Sequence, residues 1–338
     1  MRTRFAAPAL AATLLATAAL APTSSASAVA PASQGAPAHV SGVNADATGY
    51  IVFTYSSCSR SAGAKDGYEG PGDLRVIAPD GSGNWPLTEG PANDFDGVFA
   101  PGSQRVAFSS DRANRRAGIT DLYVIDVAGT GLRRLTFGAD TGGASWSADG
   151  KQLVVSDKKG LLIVSPDTGK SRRLLRTPRN IVDSAPVWTT AGDQVVFSRA
   201  VVEHGKTVSE SLWTVAADGS GARHLVGGAG AMKFSAEPAI SPDGFTVAWV
   251  VRNKRGSSIY MGDLYYGVLD NVRRFATNKG RTFEGPTFAP EGKALAVTQG
   301  YATARLGSEL LVFDVSNGKL NRLYTVAQGS LSSPNWTD

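Results

Sequence analysis

Residues 146–175 read WSADGKQLVVSDKKGLLIVSPDTGKSRRLL. An aromatic turn, WSADG, is followed by the apolar run KQLVVS, the tight turn SDKKG, a second apolar run LLIVS, the turn PDTGK and the basic-apolar run SRRLL. The runs are short, rich in Val, Leu and Ile, and bounded by Gly, Asp, Ser and Pro, which is the signal of strands joined by turns and leaves no room for helices. The same order follows FAPGS at Phe99, where QRVAFSS, a longer loop, DLYVIDV, AGTGL and RRLTF succeed one another.

The opening turn recurs along the chain as FAPGS from Phe99, WSADG from Trp146, WTTAG from Trp188, ISPDG from Ile240, FAPEG from Phe288 and a truncated WTD from Trp336, so that successive copies start 47, 42, 52, 48 and 48 residues apart. That period belongs to propeller blades or solenoids. With the residues before each Trp or Phe, every unit holds about four antiparallel strands, the content of one blade. The expected fold is all-β, a six-bladed β-propeller of four-stranded blades. The first unit has YIVFTYS from Tyr50, DLRVIAP from Asp73 and NWPLTEG from Asn84 but no opening strand, whereas SSPNWTD from Ser332 is an opening strand with nothing after it. Joining the C-terminal strand to the N-terminal blade closes the circle and removes exposed edges.

These turns, the RRLTF, DLYVIDV and LLVFDV runs and their spacing resemble the TolB-type, WD-related propeller repeat over residues 49–338. FAPGS lacks the acid of that pattern, WTTAG carries Thr-Ala for Pro-Asp, and the first blade lacks its opening turn. The resemblance implies a propeller-only member: neither the α/β domain that precedes the propeller in TolB itself nor the α/β-hydrolase domain of prolyl-oligopeptidase-like enzymes is read here. It implies a fold and carries no activity with it.

Residues 1–28 begin with Arg2 and Arg4, continue through an apolar Ala/Leu stretch from Phe5 to Ala21 and end in Ala26-Ser27-Ala28, the pattern of a secretory signal cleaved near Ala28. The stretch is too short and Ala-rich for a comfortable membrane span. A secreted, extracellular protein without membrane insertion is expected, with residues 29–48 a flexible lead rich in Ala, Pro, Ser and Gly. Removing the leader lowers the formal net charge from +5 to +3. The excess is spread along the array, without the basic stripe and interleaved aromatics of a nucleic-acid site, and nucleic acid is not expected as a partner. The single cysteine, Cys58, falls in SSCSRSAGAKDGYEGPG, read as a long loop, where it is either a buried thiol or an intermolecular link. A monomer is expected.

The repeated motifs have structural roles first. Asp and Gly of the SPDG-type turns cap and bend the links between strands. Phe99, Trp146, Trp188, Ile240 and Phe288 are placed between adjacent blades. Arg133-Arg134, Arg172-Arg173 and Arg273-Arg274 fall in outer strands, where they read as edge protection.

A sharper signal comes from convergence. In a propeller the first strand of each blade lines the central channel, so the residues before each recurring aromatic gather at one mouth. There the chain reads NDFDG, GADTGG, IVDSAP, FSAEPA, TFEGP and SLSSP. Asp94 or Asp96, Asp140, Asp183, Glu237 and Glu284 thus put an acid near the mouth in every blade but that of Ser332. Such a ring would hold a divalent cation such as calcium, or receive a Lys/Arg-bearing segment. Alternatively the acids cap strand starts and bond local amides. Long loops are expected on the same face at Asp111–Asp121, Arg199–Ser211, Arg252–Gly262 and Gln299–Glu309, where binding residues usually reside.

Catalytic signatures are missing. The chain shows no G-x-S-x-G, H-E-x-x-H, C-x-x-C or P-loop, and His39, His204 and His224 are scattered. No catalytic residue is assigned. The expected function is a binding or scaffold module for a protein or peptide, more than for a small molecule, through the loop-rich face and the acidic mouth. An extracellular cation-dependent hydrolase or lyase acting on a polymer with the channel carboxylates is the alternative.

Overall fold

Strand periodicity explains why the runs of this chain are continuously apolar. Along β9 (Leu153–Asp157), Leu153 and Val155 point to one side and pack with Trp146, Ala107 and Leu122, while Val154 points to the other and packs with Trp188, Val195 and Phe197. Both faces of the sheet are therefore buried between neighbouring sheets.

The computed structural model describes residues 48–59, 68–102, 104–227, 233–253, 255–300 and 307–337, all within the compact unit of residues 39–338. The expectations for the leader and most of the lead lie outside the described residues. Six four-stranded antiparallel sheets form the blades. Blade 1 joins β1 (Tyr50–Ser59), β2 (Tyr68–Ile77) and β3 (Trp85–Pro86) to β24 (Ser330–Thr337), in the order β24-β1-β2-β3. Blade 2 holds β4 (Asp94–Phe99), β5 (Arg105–Ser110), β6 (Asp121–Asp126) and β7 (Arg133–Arg134). Blade 3 holds β8 (Gly142–Trp146), β9, β10 (Gly160–Val164) and β11 (Ser171–Arg176). Blade 4 holds β12 (Ile181–Trp188), β13 (Gln194–Glu203), β14 (Lys206–Ala216) and β15 (Arg223–Gly227). Blade 5 holds β16 (Lys233–Ile240), β17 (Thr246–Asn253), β18 (Gly256–Tyr265) and β19 (Val268–Lys279). Blade 6 holds β20 (Thr282–Phe288), β21 (Ala294–Gly300), β22 (Ser308–Asp314) and β23 (Leu320–Val326).

Closure follows the expected route. The C-terminal β24 pairs with β1 from Tyr50 opposite Thr337 to Ser56 opposite Ser330. Six hydrophobic clusters fill the six gaps between blades, and each contains one of the recurring residues: Phe99, Trp146, Trp188, Ile240, Phe288 and Trp336. The indole Nε1 of Trp146 donates to the Val98 carbonyl at 3.1 Å and that of Trp336 to the Thr48 carbonyl at 3.0 Å.

The turn acids behave as caps. Asp149 Oδ1 accepts from the Lys151 amide and the Ser147 hydroxyl, and Asp243 Oδ1 accepts from the Phe245 amide and the Ser241 hydroxyl. The outer arginines do more than guard an edge. Arg133 donates to the Asp167 carbonyl of the next blade, Arg172 to the Ala217 carbonyl and Arg223 to the Tyr266 carbonyl, each one blade onward. Their partners turn inward: Arg134 meets Asp121 at 2.6 Å and Arg173 forms a two-point pair with Asp157.

Two of the expected long loops are strands. Residues 199–211 are the paired ends of β13 and β14, closed by the turn His204-Gly205, and residues 252–253 and 256–262 belong to β17 and β18. In the β13–β14 hairpin Val201, Val202 and Thr207 flank the two-residue turn and the cross-strand pairing continues up to Glu203 and Lys206. Residues 111–120 do form a loop, with a 3-10 turn at Arg115–Ala117, while residues 301–306 lie outside the described residues. Cys58 is likewise a strand residue, opposite Glu69 in β1 and β2. Its side chain lies outside the described residues.

Candidate functional site in the central channel

Each inner strand slips register at the same point. The slip falls between Phe95 and Val98 in β4, Gly142 and Ala144 in β8, Ser184 and Val187 in β12, Ser235 and Ala239 in β16, Glu284 and Thr287 in β20, and opposite Val52 and Thr54 in β24. The bulged residues of five blades, Asp96, Gly143, Ala185, Gly285 and Ser333, have φ between 45° and 57°. A bulge re-aims the side chain it carries. Here it crowds neighbouring strands together: a Cβ on Gly285 would stand 2.8 Å from Pro334 Cδ, so glycine is required for the close approach.

The bulges line a channel of 820 Å³. Its walls run from Ser156 and Glu210, near the hairpin ends, past the bulges to Pro101, Ala148, Thr190, Pro242 and Pro290 in the tight turns of the opposite face. Of the six acids expected at the mouth, Asp96 and Glu237 line this channel. They occupy the bulge position in blades 2 and 5, which face one another across the ring. Asp96 Oδ1 accepts from the Ser333 hydroxyl at 2.6 Å and Oδ2 from the Gly143 amide at 3.0 Å, tying together three blades. Glu237 Oε2 accepts from the Gly285 amide at 2.5 Å. Neither has an ion-pair partner among the described residues.

The other four acids are held by bases. Asp94 is buried and accepts from Arg112 at 2.7 Å, with the guanidinium carbon 5.2 Å from the ring centres of both Phe108 and Tyr123. Asp183 is buried and takes a two-point contact from Arg199 at 2.7 and 2.9 Å, under the Trp213 ring. Glu284 meets Arg252 of blade 5 at 2.7 Å. Asp140 meets Lys158 at 2.8 Å and accepts from Thr120, the geometry of a local cap.

Burial pushes the Asp96 carboxyl above its ordinary value against the hydrogen bonds from Ser333 and Gly143. Burial, then repulsion from Asp96 and Glu284, push Glu237 up to about 7, opposed by Arg252 and the Gly285 amide. Both acids keep some surface open to the channel, but protein surrounds them on every side, and a carboxylate there loses much of its hydration. Lys158 holds Asp140 below the usual carboxylate range. Asp183 is pushed up by burial, with Arg199 opposing.

Sequence reasoning passed over Glu210 of β14, which also lines the channel and which burial pushes up to about 7, with Arg252 opposing. The signal was available: His204-Gly205 between β-branched runs marks a two-residue hairpin turn, and continuing the strands through it brings Glu210 to the channel. Among the described residues no three of His, Cys, Asp and Glu gather as a metal-holding group. What the arrangement offers is a channel whose charge becomes more negative as Glu237 and Glu210, both pushed up to about 7, lose their protons.

A closed ring of six four-stranded blades with carboxylates in its axial channel defines the molecule as a six-bladed β-propeller. Within that class the chain belongs to the TolB beta propeller family, whose domain model matches residues 64–237. A 106-residue stretch is 31% identical to the Tol-Pal system protein TolB of Hydrogenovibrio crunogenus, covering 31% of this chain and 22% of that protein. The fold is similar to the crystal structure of TolB from Acinetobacter baumannii, with a TM-score of 0.62 and 16% identity over 86% of this chain and 66% of the other. An oligogalacturonate lyase in complex with manganese is also similar, with a TM-score of 0.52 and 15% identity over 83% of this chain and 75% of that one. The chain thus spans less than two thirds of either TolB. Among the described residues no helix is long and apolar enough to cross a membrane.

Proposed function

We propose that this chain is an exported propeller that binds a protein or peptide segment at its acidic channel, with Asp96 and Glu237 receiving a lysine or arginine side chain. The observation carrying this reading is that these two acids alone among the six candidates line the channel and have no ion-pair partner among the described residues. The TolB kinship supports a protein ligand, and the relative's place in a Tol-Pal system supports export. A basic group entering the channel supplies the countercharge the fold leaves out, and its positive charge favours ionised Glu237.

Calorimetric titration of the full chain with hexalysine tests the reading. Binding is expected to strengthen at least several-fold from pH 5.5 to pH 8, as Glu237 loses its proton, and to fall at least tenfold in Asp96→Asn/Glu237→Gln. Affinity unchanged in that double variant would overturn it. After chelation, a melting temperature raised by calcium or manganese in the parent but not in the double variant would transfer the site to a cation-dependent function instead.

A further inference from the structure

On the opposite face from the β13–β14 hairpin, blade 5 makes two local choices that cost it stability, and they fall side by side. The first is Tyr266. It and Gly267 form the two-residue turn between β18 and β19, with Tyr265 opposite Val268. Their φ values are 49° and 73°, the doubly left-handed conformation of a type I′ turn. Asn or Gly is the usual residue at the first position, because a bulky side chain there is strained. The tyrosine gains nothing for the fold in return, since it is 93% exposed. The second is a cross-strand pair of like charges, Asp263 opposite Asp270. Asn271 and Arg273 answer Asp263, whereas Asp270 is exposed and forms no ion pair among the described residues.

Around these two lies an apolar surface. Phe245, Tyr265 and Val268 are each at least half exposed, and the Phe245 and Tyr265 rings pack at 5.6 Å between centres. The turn is held from blade 4, where Arg223 donates to the Tyr266 carbonyl at 3.1 Å. The backbone under the aromatic group is therefore fixed, and the neighbouring Arg223 is occupied by that carbonyl. Nearby, Asp270 and the turn acid Asp243, which accepts from the Ser241 hydroxyl and the Phe245 amide, form no ion pair among the described residues.

We propose that this turn face of blade 5 is a docking patch for a lysine- or arginine-bearing segment of a partner protein. Aromatic rings beside unpaired carboxylates suit such a side chain: its aliphatic stem lies on the rings, its cation meets their faces and its charge meets Asp270. Strain and opposed charges that the fold does not need are expected where a partner uses them. None of Phe245, Tyr265, Tyr266, Val268 and Asp270 is among the residues that line the channel.

The experiment uses the full chain carrying Asp96→Asn/Glu210→Gln/Glu237→Gln, so that the acids lining the channel do not contribute, and titrates it with hexaarginine. Tyr266→Asn places the preferred residue in the turn. It is expected to leave the melting temperature unchanged or raised while weakening hexaarginine binding at least tenfold. Asp270→Asn is expected to weaken binding several-fold, also without loss of stability. A lowered melting temperature in Tyr266→Asn would make the tyrosine a structural residue and overturn the proposal, as would hexaarginine affinity that neither substitution changes. Binding of cellohexaose in place of hexaarginine, or self-association abolished by Tyr266→Asn, would overturn it in favour of a glycan or a second copy.

Discussion

At Glu237 a single carboxyl links the channel to the stability of the fold. Its pKa of about 7 lies above the ordinary 4.5, so the folded state holds the proton more tightly than the unfolded chain does. Stability therefore falls as pH rises from about 4.5 to about 7 and stays lower above that range. Glu237→Gln keeps an oxygen for the Gly285 amide and removes the ionisation. Its melting temperature is expected to match the parent at pH 5 and exceed it at pH 8, and equal melting temperatures at both pH values would show that the carboxyl is not buried as described. Asp183 is the contrasting case. Removing its partner in Arg199→Ala leaves a buried acid uncompensated and is expected to cost about 3–5 kcal/mol in denaturant unfolding at pH 7. The contrast shows how far the acids could be read from sequence. Their gathering near the inner strands was legible, because it depends only on blade period. Which of them an arginine takes was not, since Arg112 and Arg199 come from neighbouring strands or loops, and only the bulge sends Asp96 to the channel while Asp94 stays in the blade.

Strands were legible wherever apolar runs met Gly or Asp-Gly turns, and misjudged where polar residues continued the pairing. Residues 199–211 carry Glu203, His204, Lys206 and Glu210, a composition that suggests a loop, but their backbone pairs throughout. A hairpin rising out of the blade needs no apolar face, because turn geometry and cross-strand bonding set its register. The same elements contain a strict local demand. β10 opens at Gly160, whose φ is 121°, and a Cβ there would stand 2.2 Å from the Leu175 carbonyl oxygen of β11. Gly256 and Gly307 meet the outer strands of blades 5 and 6 in the same way, at 2.1 Å from the Asn278 and Val326 carbonyl oxygens. The backbones can come that close only without a side chain. Gly160→Ala is expected to destabilise the protein by about 2 kcal/mol or more, through displaced β10–β11 pairing and the disfavoured φ. Amide exchange should quicken along β11 before it does in β9. Unchanged stability would mean that the two strands are not in this register.

For the whole molecule, the decisive element is the last one. β24 belongs to blade 1 by pairing, but its side chains reach three blades. Leu331 and Trp336 fill the gap between blades 6 and 1, the Trp336 amide donates to the Thr287 hydroxyl of blade 6, and Asn335 accepts from the Phe99 amide of blade 2. Ser333 donates to Asp96, so the closing strand also supports the channel carboxyl. Without residues 329–338 the ring would have an open seam: β1 would present an unpaired edge, and the apolar cluster around Ile51, Phe53 and Ala296 would face water. The local strands would remain, but a ring is stabilised by each blade having two neighbours, and the loss at one seam is felt by both adjoining blades. The truncated chain is therefore expected to melt at least 10 °C lower or to aggregate on folding. The synthetic peptide of residues 329–338, added in excess, should raise its melting temperature in a concentration-dependent way, because it binds only the folded seam. The same peptide carrying Trp336→Ala should do so poorly, having lost the indole that fills the gap. A truncated chain with the parent's melting temperature, or one indifferent to the peptide, would show that the ring is held without its closing strand.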